Sequence, residues 1–155
     1  MKRTWPWLLA AVWVPLNAIA NPVILNPSSL LAFGVVAFWS LVVESGIATL
    51  GLLSCGIRTL PFFGALLTAN LGVYFLAFMP LTGRVSLSWL ELGVVAIDLL
   101  VIRLLSLVPA LQGSEYAGVS CKRAVSMSCL GNLASFLAGW LATQSPWASH
   151  VVDEF

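Results

Sequence analysis

Apolar residues along this chain fall into four long runs, separated by short stretches that contain glycine or proline. The runs cover residues 30–53, 60–79, 86–107 and 121–143. Each run has about 20 residues, the length that a helix needs to cross a hydrocarbon core of about 30 Å. The runs lack the two-residue alternation of membrane β-strands. The pattern therefore predicts an all-α integral membrane protein, a four-helix bundle.

Composition strengthens this assignment. The chain is 60% hydrophobic and only 8% charged, whereas a soluble domain has about 25% charged residues. The net charge is +1 and the sequence contains no basic block, so nothing points to a nucleic-acid partner. The partner that composition predicts is the lipid bilayer.

Residues 1–20 have the pattern of a secretory signal peptide. Lys2 and Arg3 form its charged end, residues 5–16 are a short apolar stretch, and Ala-Ile-Ala at 18–20 is a small-x-small cleavage site. We expect cleavage after Ala20, which leaves residues 21–155 as the membrane domain. The alternative is an uncleaved first helix. Either way, the mature N-terminus lies on the outer side of the membrane.

The charges of the loops then predict the orientation. With the mature N-terminus outside, the inside loops hold Arg58, Lys122 and Arg123, and the outside holds Arg84. This bias follows the rule that basic residues stay on the cytoplasmic side. It predicts a multi-pass protein of a prokaryotic inner membrane, with both mature termini outside.

Two parts of the chain resemble each other. ANLGVYFLAF (69–78) aligns with GNLASFLAGW (131–140), and VVES (42–45) aligns with AIDL (96–99). The alignment predicts two parallel helical-hairpin repeats, at about 28–82 and 86–145. Each repeat has an acidic helix, a short inside loop with a basic residue, and a helix with asparagine. The alternative is chance similarity within a restricted set of residue types.

The repeat aligns four polar residues that lie near the middle of their spans: Glu44, Asn70, Asp98 and Asn132. An acid at the centre of a bilayer costs about 2.5–3.5 kcal/mol on insertion scales. We therefore expect these side chains to converge inside the bundle. They would either bond to one another as neutral acids, each donating to an asparagine carbonyl, or surround a positive charge.

Three other polar residues extend this cluster. Glu91 lies seven residues before Asp98 and shares its helix face, and Ser88 continues that face toward the outer surface. The row predicts an entrance or relay for protons or cations, although Glu91 could instead lie among the headgroups. Arg103 is a counter-ion for the acids, or it extends to the headgroups at the inner surface.

Other chemistry finds little support. Cys55, Cys121 and Cys129 form no CxxC pair and have no histidine nearby, so no metal site is predicted. The chain also lacks the common nucleophile, zinc-protease and phosphate-loop motifs. We therefore predict a protein that is not an enzyme and has no cofactor.

Several short motifs also suggest a family. They are AIA-NP at the signal end, VVE, ANL, the acids Glu91 and Asp98 with six residues between them, and NLASFLAG. In these motifs the chain resembles a set of small, uncharacterised multi-span membrane proteins of bacteria and archaea. The resemblance implies four spans and the polar positions Glu44, Asn70, Glu91, Asp98 and Asn132. It implies no activity.

These observations predict a small inner-membrane protein with a structural, scaffold or accessory role, whose midplane cluster packs the bundle. The alternative is a proton or small-cation transporter or channel that uses Glu44 and Asp98. A chain of this size encloses little volume, so transport would need a homo-oligomer or a larger membrane assembly.

Overall fold

The computed structural model describes residues 30–81 and 84–143 of the chain. The helices are α1 (Leu30–Gly51), α2 (Thr59–Leu81), α3 (Leu87–Ser106) and α4 (Cys121–Thr143). The predicted all-α class is confirmed. The predicted signal peptide, its cleavage site at Ala20 and the C-terminal tail lie outside the described residues.

Three of these helices are long and apolar enough to cross a membrane. They are the segments Gly34–Gly51, Thr59–Leu81 and Cys121–Leu141. They indicate a multi-pass membrane protein. Helix α3 has 20 residues, but it carries three charged side chains, Glu91, Asp98 and Arg103, more than any of the other three helices. Its role as the fourth span remains a prediction.

The four helices pack as a bundle. Helix α1 packs against α2 and α4, and α3 packs against the same two helices. The two acidic helices therefore occupy opposite corners, with an asparagine helix on each side between them. This arrangement brings one face of every helix toward a common interior.

Helices α1 and α4 approach each other closely at Gly131. A Cβ atom there would lie 3.1 Å from the main-chain oxygen of Glu44 and 3.2 Å from its Cγ. Gly131 and Gly139 are both buried, as expected for small residues that let two membrane helices approach. The absence of a side chain at Gly131 thus places α4 directly beside Glu44.

The loops 52–58 and 107–120 meet at one end of the bundle, here called the basic end because Arg58, Lys122 and Arg123 lie in or beside these loops. The amide of Gly113 donates to the carbonyl of Gly56 at 2.8 Å. Gly56 has a φ of +73°, and a Cβ atom there would lie 2.5 Å from the carbonyl oxygen of Glu115. Only glycine fits this crossing without strain.

Beneath these loops lies an apolar core. Its buried members are Ala48, Leu52, Cys55, Ile57, Phe62, Leu66, Ile102, Val119 and Ala124. Phe62 and Leu52 are completely buried. These residues lie in the loops of the basic end or in the parts of the helices that adjoin it, so that end of the bundle is closed by packed side chains.

Helix α2 extends two residues beyond the predicted run 60–79 and so includes Pro80. A π-helical turn at Tyr74–Phe78 precedes the proline, and the amide of Met79 donates to the carbonyl of Tyr74, five residues back. Proline lacks an amide hydrogen and collides with the carbonyl four residues before it in a regular helix. The wider turn alters that geometry, so the helix can include Pro80 and ends only at Leu81.

Candidate functional site

Each buried acid accepts a hydrogen bond from an asparagine on the next helix. Asn70 of α2 donates through Nδ2 to Oε1 of Glu44 at 3.0 Å, and also to Oγ of Ser45 at 3.3 Å. Asn132 of α4 donates through Nδ2 to Oδ2 of Asp98 at 2.6 Å. In both pairs the amide donates to the acid, which is the reverse of the predicted bond from a neutral acid to an asparagine carbonyl.

The two acids also reach each other from opposite corners of the bundle. The side chains of Glu44 and Asp98 are close enough for their charges to interact. Glu44 is 5% exposed and Asp98 is 2% exposed. Two carboxyl groups this close in a low-dielectric interior repel each other unless a proton or another positive charge lies between them.

A cavity of about 90 Å³ adjoins both acids. Its polar lining consists of Ser40, Glu44, Asn70, Tyr74, Glu91, Asp98, Asn132 and Ser135. Its apolar lining consists of Ala37, Leu41, Val73, Phe78, Val94 and Phe136. A volume of this size has room for a few water molecules or a small ion. The polar residues therefore surround a space instead of packing directly on one another everywhere.

The four predicted midplane residues thus lie around one space. Glu44, Asn70 and Asp98 are buried, and Asn132 is partly buried. Their geometry agrees with the expectation that they converge inside the bundle. Whether they form a functional site stays a prediction.

The structure describes the side chain of only one of the two predicted entrance residues, Glu91 and Ser88. Glu91 is partly exposed, lines the cavity and is close enough to Glu44 for their charges to interact. Ser88 lies in the first turn of α3, and its side chain is outside the part that the structure describes. The entrance role of both residues stays a prediction.

The structure does not place Arg103 beside the acids. Its guanidinium donates to the main-chain carbonyl of Val119, in the loop before α4. Val119 is part of the core at the basic end, so the charge of Arg103 is directed away from the cavity. This contact ties α3 to the loop, and the counter-ion role gains no support from it.

Sequence reasoning did not single out the hydroxyl groups of Ser40 and Tyr74. Both line the cavity. Ser40 lies four residues before Glu44, and Tyr74 lies four residues after Asn70. That spacing places each on the same helix face as its polar neighbour and is the signal by which they could have been found. The stacking of Tyr74 on Phe78, with ring centroids 5.7 Å apart, depends on the π-helical turn.

Neither a metal-binding group nor a similar known protein identifies the function of this cavity. Among the described residues, no group of three histidine, cysteine or acidic side chains is positioned to hold a metal ion. No protein-family model, curated protein or solved structure matches this chain. The resemblance to small membrane proteins of bacteria and archaea therefore stays a prediction.

Proposed function

We propose that this protein is a non-enzymatic, multi-pass membrane protein with a structural or accessory role, in which two acid–amide pairs hold four spanning helices in register. The observation that carries the proposal is the pairing itself: Asn70 bonds to Glu44 and Asn132 bonds to Asp98. An acid left unpaired in hydrocarbon is costly. The present alignment of the helices gives each acid an amide partner, and sliding one helix along another would separate a pair.

The pairs contribute more to specificity than to stability. Side-chain hydrogen bonds between membrane helices average about 0.6 kcal/mol, with a maximum of about 1.7 kcal/mol. Such values are small beside the cost of leaving one partner buried alone. The pairs therefore act mainly by penalising other helix alignments. On this view α3 is the fourth span, with Asp98 turned toward the interior.

A double-mutant cycle tests this role. Asp98→Ala and Asn132→Ala are made singly and together, and the free energy of unfolding is measured in detergent micelles. We expect a coupling energy of about 0.6–1.7 kcal/mol between the two positions. Matched changes at Asp98 and Thr68, which bonds only within its own helix, should be additive. Additive effects at Asp98 and Asn132 would contradict the proposal.

The accessory role is tested by extraction in a mild detergent. We expect the chain to be recovered in a defined homo-oligomer or complex. A single monomeric species on sizing would argue against this role and leave the acid–amide pairing unaffected.

We further propose that the basic end faces the cytoplasm of a prokaryotic inner membrane. Arg58, Lys122 and Arg123 lie at that end, and Arg84 lies at the other, in keeping with the bias of membrane loops. Cys121 is exposed at the basic end. A membrane-impermeant thiol reagent should label Cys121 only after the membrane is made permeable. Labelling in intact cells would contradict the proposed orientation and support the opposite one.

A second candidate function is transport of protons or small cations. The observation that favours it is the cavity, which adjoins both Glu44 and Asp98 and extends to the partly exposed Glu91. In proteoliposomes, the wild-type chain should conduct protons or cations, and Glu44→Gln and Asp98→Asn should abolish the flux while the protein stays folded. Absence of flux in the wild type would exclude this function.

A further inference from the structure

We propose that the cavity binds one small monovalent cation, of the size of Na⁺, between the carboxylates of Glu44 and Asp98 and the carbonyl oxygen of Asn70. This site would be the ion-binding site of the second candidate function, transport. Only the biological role of the bound ion rests on that function. Binding is measured without transport, so the two can succeed or fail separately.

The first argument comes from the carbonyl oxygen of Asn70. This side chain is 3% exposed and lines the cavity. Its Nδ2 donates to Glu44 and to Ser45, whereas its Oδ1 is buried without a hydrogen-bond partner among the described residues. Buried polar atoms are nearly always paired in native proteins. A ligand of positive character in the cavity would satisfy this oxygen.

With Glu44 ionised, as the proposal requires, the orientation of the amide follows from its neighbours. Exchanging oxygen and nitrogen would place Oδ1 against the acid oxygen of Glu44, which lies 3.0 Å from the present Nδ2. Two acceptor oxygens at that distance repel each other if the acid is ionised. The carbonyl oxygen is therefore the atom left without a partner.

The second argument comes from charge. Glu44 and Asp98 line the same cavity, and the guanidinium of Arg103 is directed away from them, to the main chain of Val119. Both acids receive hydrogen bonds from amide groups, which stabilise charge but do not neutralise it. A cation at the cavity wall would remove the repulsion between the two carboxylates.

The types of ligand indicate which cation fits. Carboxylate, amide and hydroxyl oxygens are hard ligands, suited to hard cations. The cavity lining holds no thiol and no imidazole, so a transition metal is not favoured. A small ion also suits two carboxyl groups that line one cavity of about 90 Å³.

The number of ligands argues for a single positive charge. Ca²⁺ takes about 6–8 oxygen ligands, and Mg²⁺ requires near-octahedral coordination and retains several waters. Here some acid oxygens already accept bonds from Asn70 and Asn132. Two acids and one amide carbonyl, together with a few waters in about 90 Å³, are better suited to a monovalent ion.

Binding is tested on the full chain purified in detergent. Thermal unfolding is followed as NaCl replaces choline chloride at constant ionic strength. We expect Na⁺ to raise the melting temperature in a saturable way, and Glu44→Gln and Asp98→Asn each to weaken the apparent affinity at least tenfold. Asn70→Ala should weaken it by a smaller factor. Thr49→Val is the matched control, because Thr49 is a buried residue of α1 outside the cavity lining.

Binding of radioactive ²²Na⁺ to the wild-type protein covers the case in which a variant fails to fold. We expect one displaceable Na⁺ per chain. Equal melting temperatures in Na⁺ and choline, together with no ²²Na⁺ bound, would overturn the proposal. So would an undiminished Na⁺ response in both acid variants, or a response to Ca²⁺ alone. Binding without flux in proteoliposomes would support the site and exclude transport.

Discussion

The two ends of the bundle are built from the same four helices but in opposite ways. Toward the basic end, apolar side chains such as Phe62 and Leu52 are completely buried and the loops bond to each other. Toward the other end, the helices surround a polar cavity of about 90 Å³. The contrast indicates that the packed side chains of the basic end stabilise the bundle. They thereby hold the helices in an arrangement in which polar residues surround a cavity at the other end, which packing there would not favour by itself.

The boundary between the two ends can be located on α1. Residues 37–44 of this helix contribute to the cavity, and Ala48 and Leu52 belong to the core. One turn of helix therefore separates an interior that holds acids from one that is packed mainly with apolar side chains, although the hydroxyl residues Thr49 and Ser106 are also buried there. If the basic end faces the cytoplasm, the cavity lies on the outer side of this boundary, next to Glu91.

The largest effect is expected from emptying the core. Phe62→Ala should lower the free energy of unfolding by about 3 kcal/mol, the lower end of the usual range for this change. Lipid is itself apolar, so the loss comes mainly from packing. Unfolding in detergent micelles measures it. Leu76→Ala is the control on the same helix, since Leu76 is 83% exposed; equal losses for the two variants would contradict a packed core.

The same substitution at two positions of α1 compares the ends directly. Ala48→Val adds two methyl groups to a packed core and should cost about 1–3 kcal/mol. Ala37→Val adds them beside the cavity, so its cost should be under about 0.5 kcal/mol. The helix propensity of the two changes is the same. Similar unfolding free energies for both variants would remove the distinction between the ends.

The crossing of the loops gives a prediction of intermediate size. Gly56→Ala would place a Cβ atom against the main chain of Glu115 in a left-handed conformation, at a cost of about 1–2 kcal/mol. Cys55 beneath it is 1% exposed and should become more reactive toward a thiol reagent. Gly64→Ala, in α2 with nothing within 4 Å, should raise the free energy of unfolding by about 0.5–1 kcal/mol through helix propensity and leave the reactivity of Cys55 unchanged. If Gly64→Ala had the larger effect, the loop crossing would not be closing this end.

The smallest effect is expected in the polar half. Ser45→Ala removes one hydrogen bond from Asn70, whose Nδ2 still donates to Glu44, and should cost about 0.6 kcal/mol, the average for such bonds between membrane helices. The free energy of unfolding measures it, with Ser126→Ala as control, because Ser126 bonds only to its own helix. A loss as large as that of Phe62→Ala would show that the polar half carries the stability.

Much of the fold follows from local pattern. The apolar runs predicted helices close to those observed, and α4 spans Cys121–Thr143 as expected. The observed end of α2 lies beyond the predicted one. A proline would end a regular helix, but here a preceding π-helical turn changes which carbonyl the proline meets. Helix α1 ends at Gly51, and residues Leu53–Cys55 form a short 3₁₀ turn. The predicted signal peptide, orientation and internal repeat remain predictions.

The candidate site was predicted only in part, for a physical reason. Burial of Glu44 and Asp98 follows from the cost of an acid in hydrocarbon. Which atom donates to which acid depends on helix rotation, and so does the approach of the two acids to each other across the bundle. The partner of Arg103 depends on where the loop with Val119 returns, which no periodicity records.

The sequence by itself therefore determined the class of protein, the extent of most helices and which polar residues must face inward, because these depend on the transfer of side chains into an apolar medium. Only the tertiary structure decided that the acids meet around a cavity and that Asn70 leaves its carbonyl oxygen without a partner. The same holds for the closed, apolar basic end. These features depend on how the four helices are rotated against each other, which is set by contacts such as that between Gly131 and Glu44.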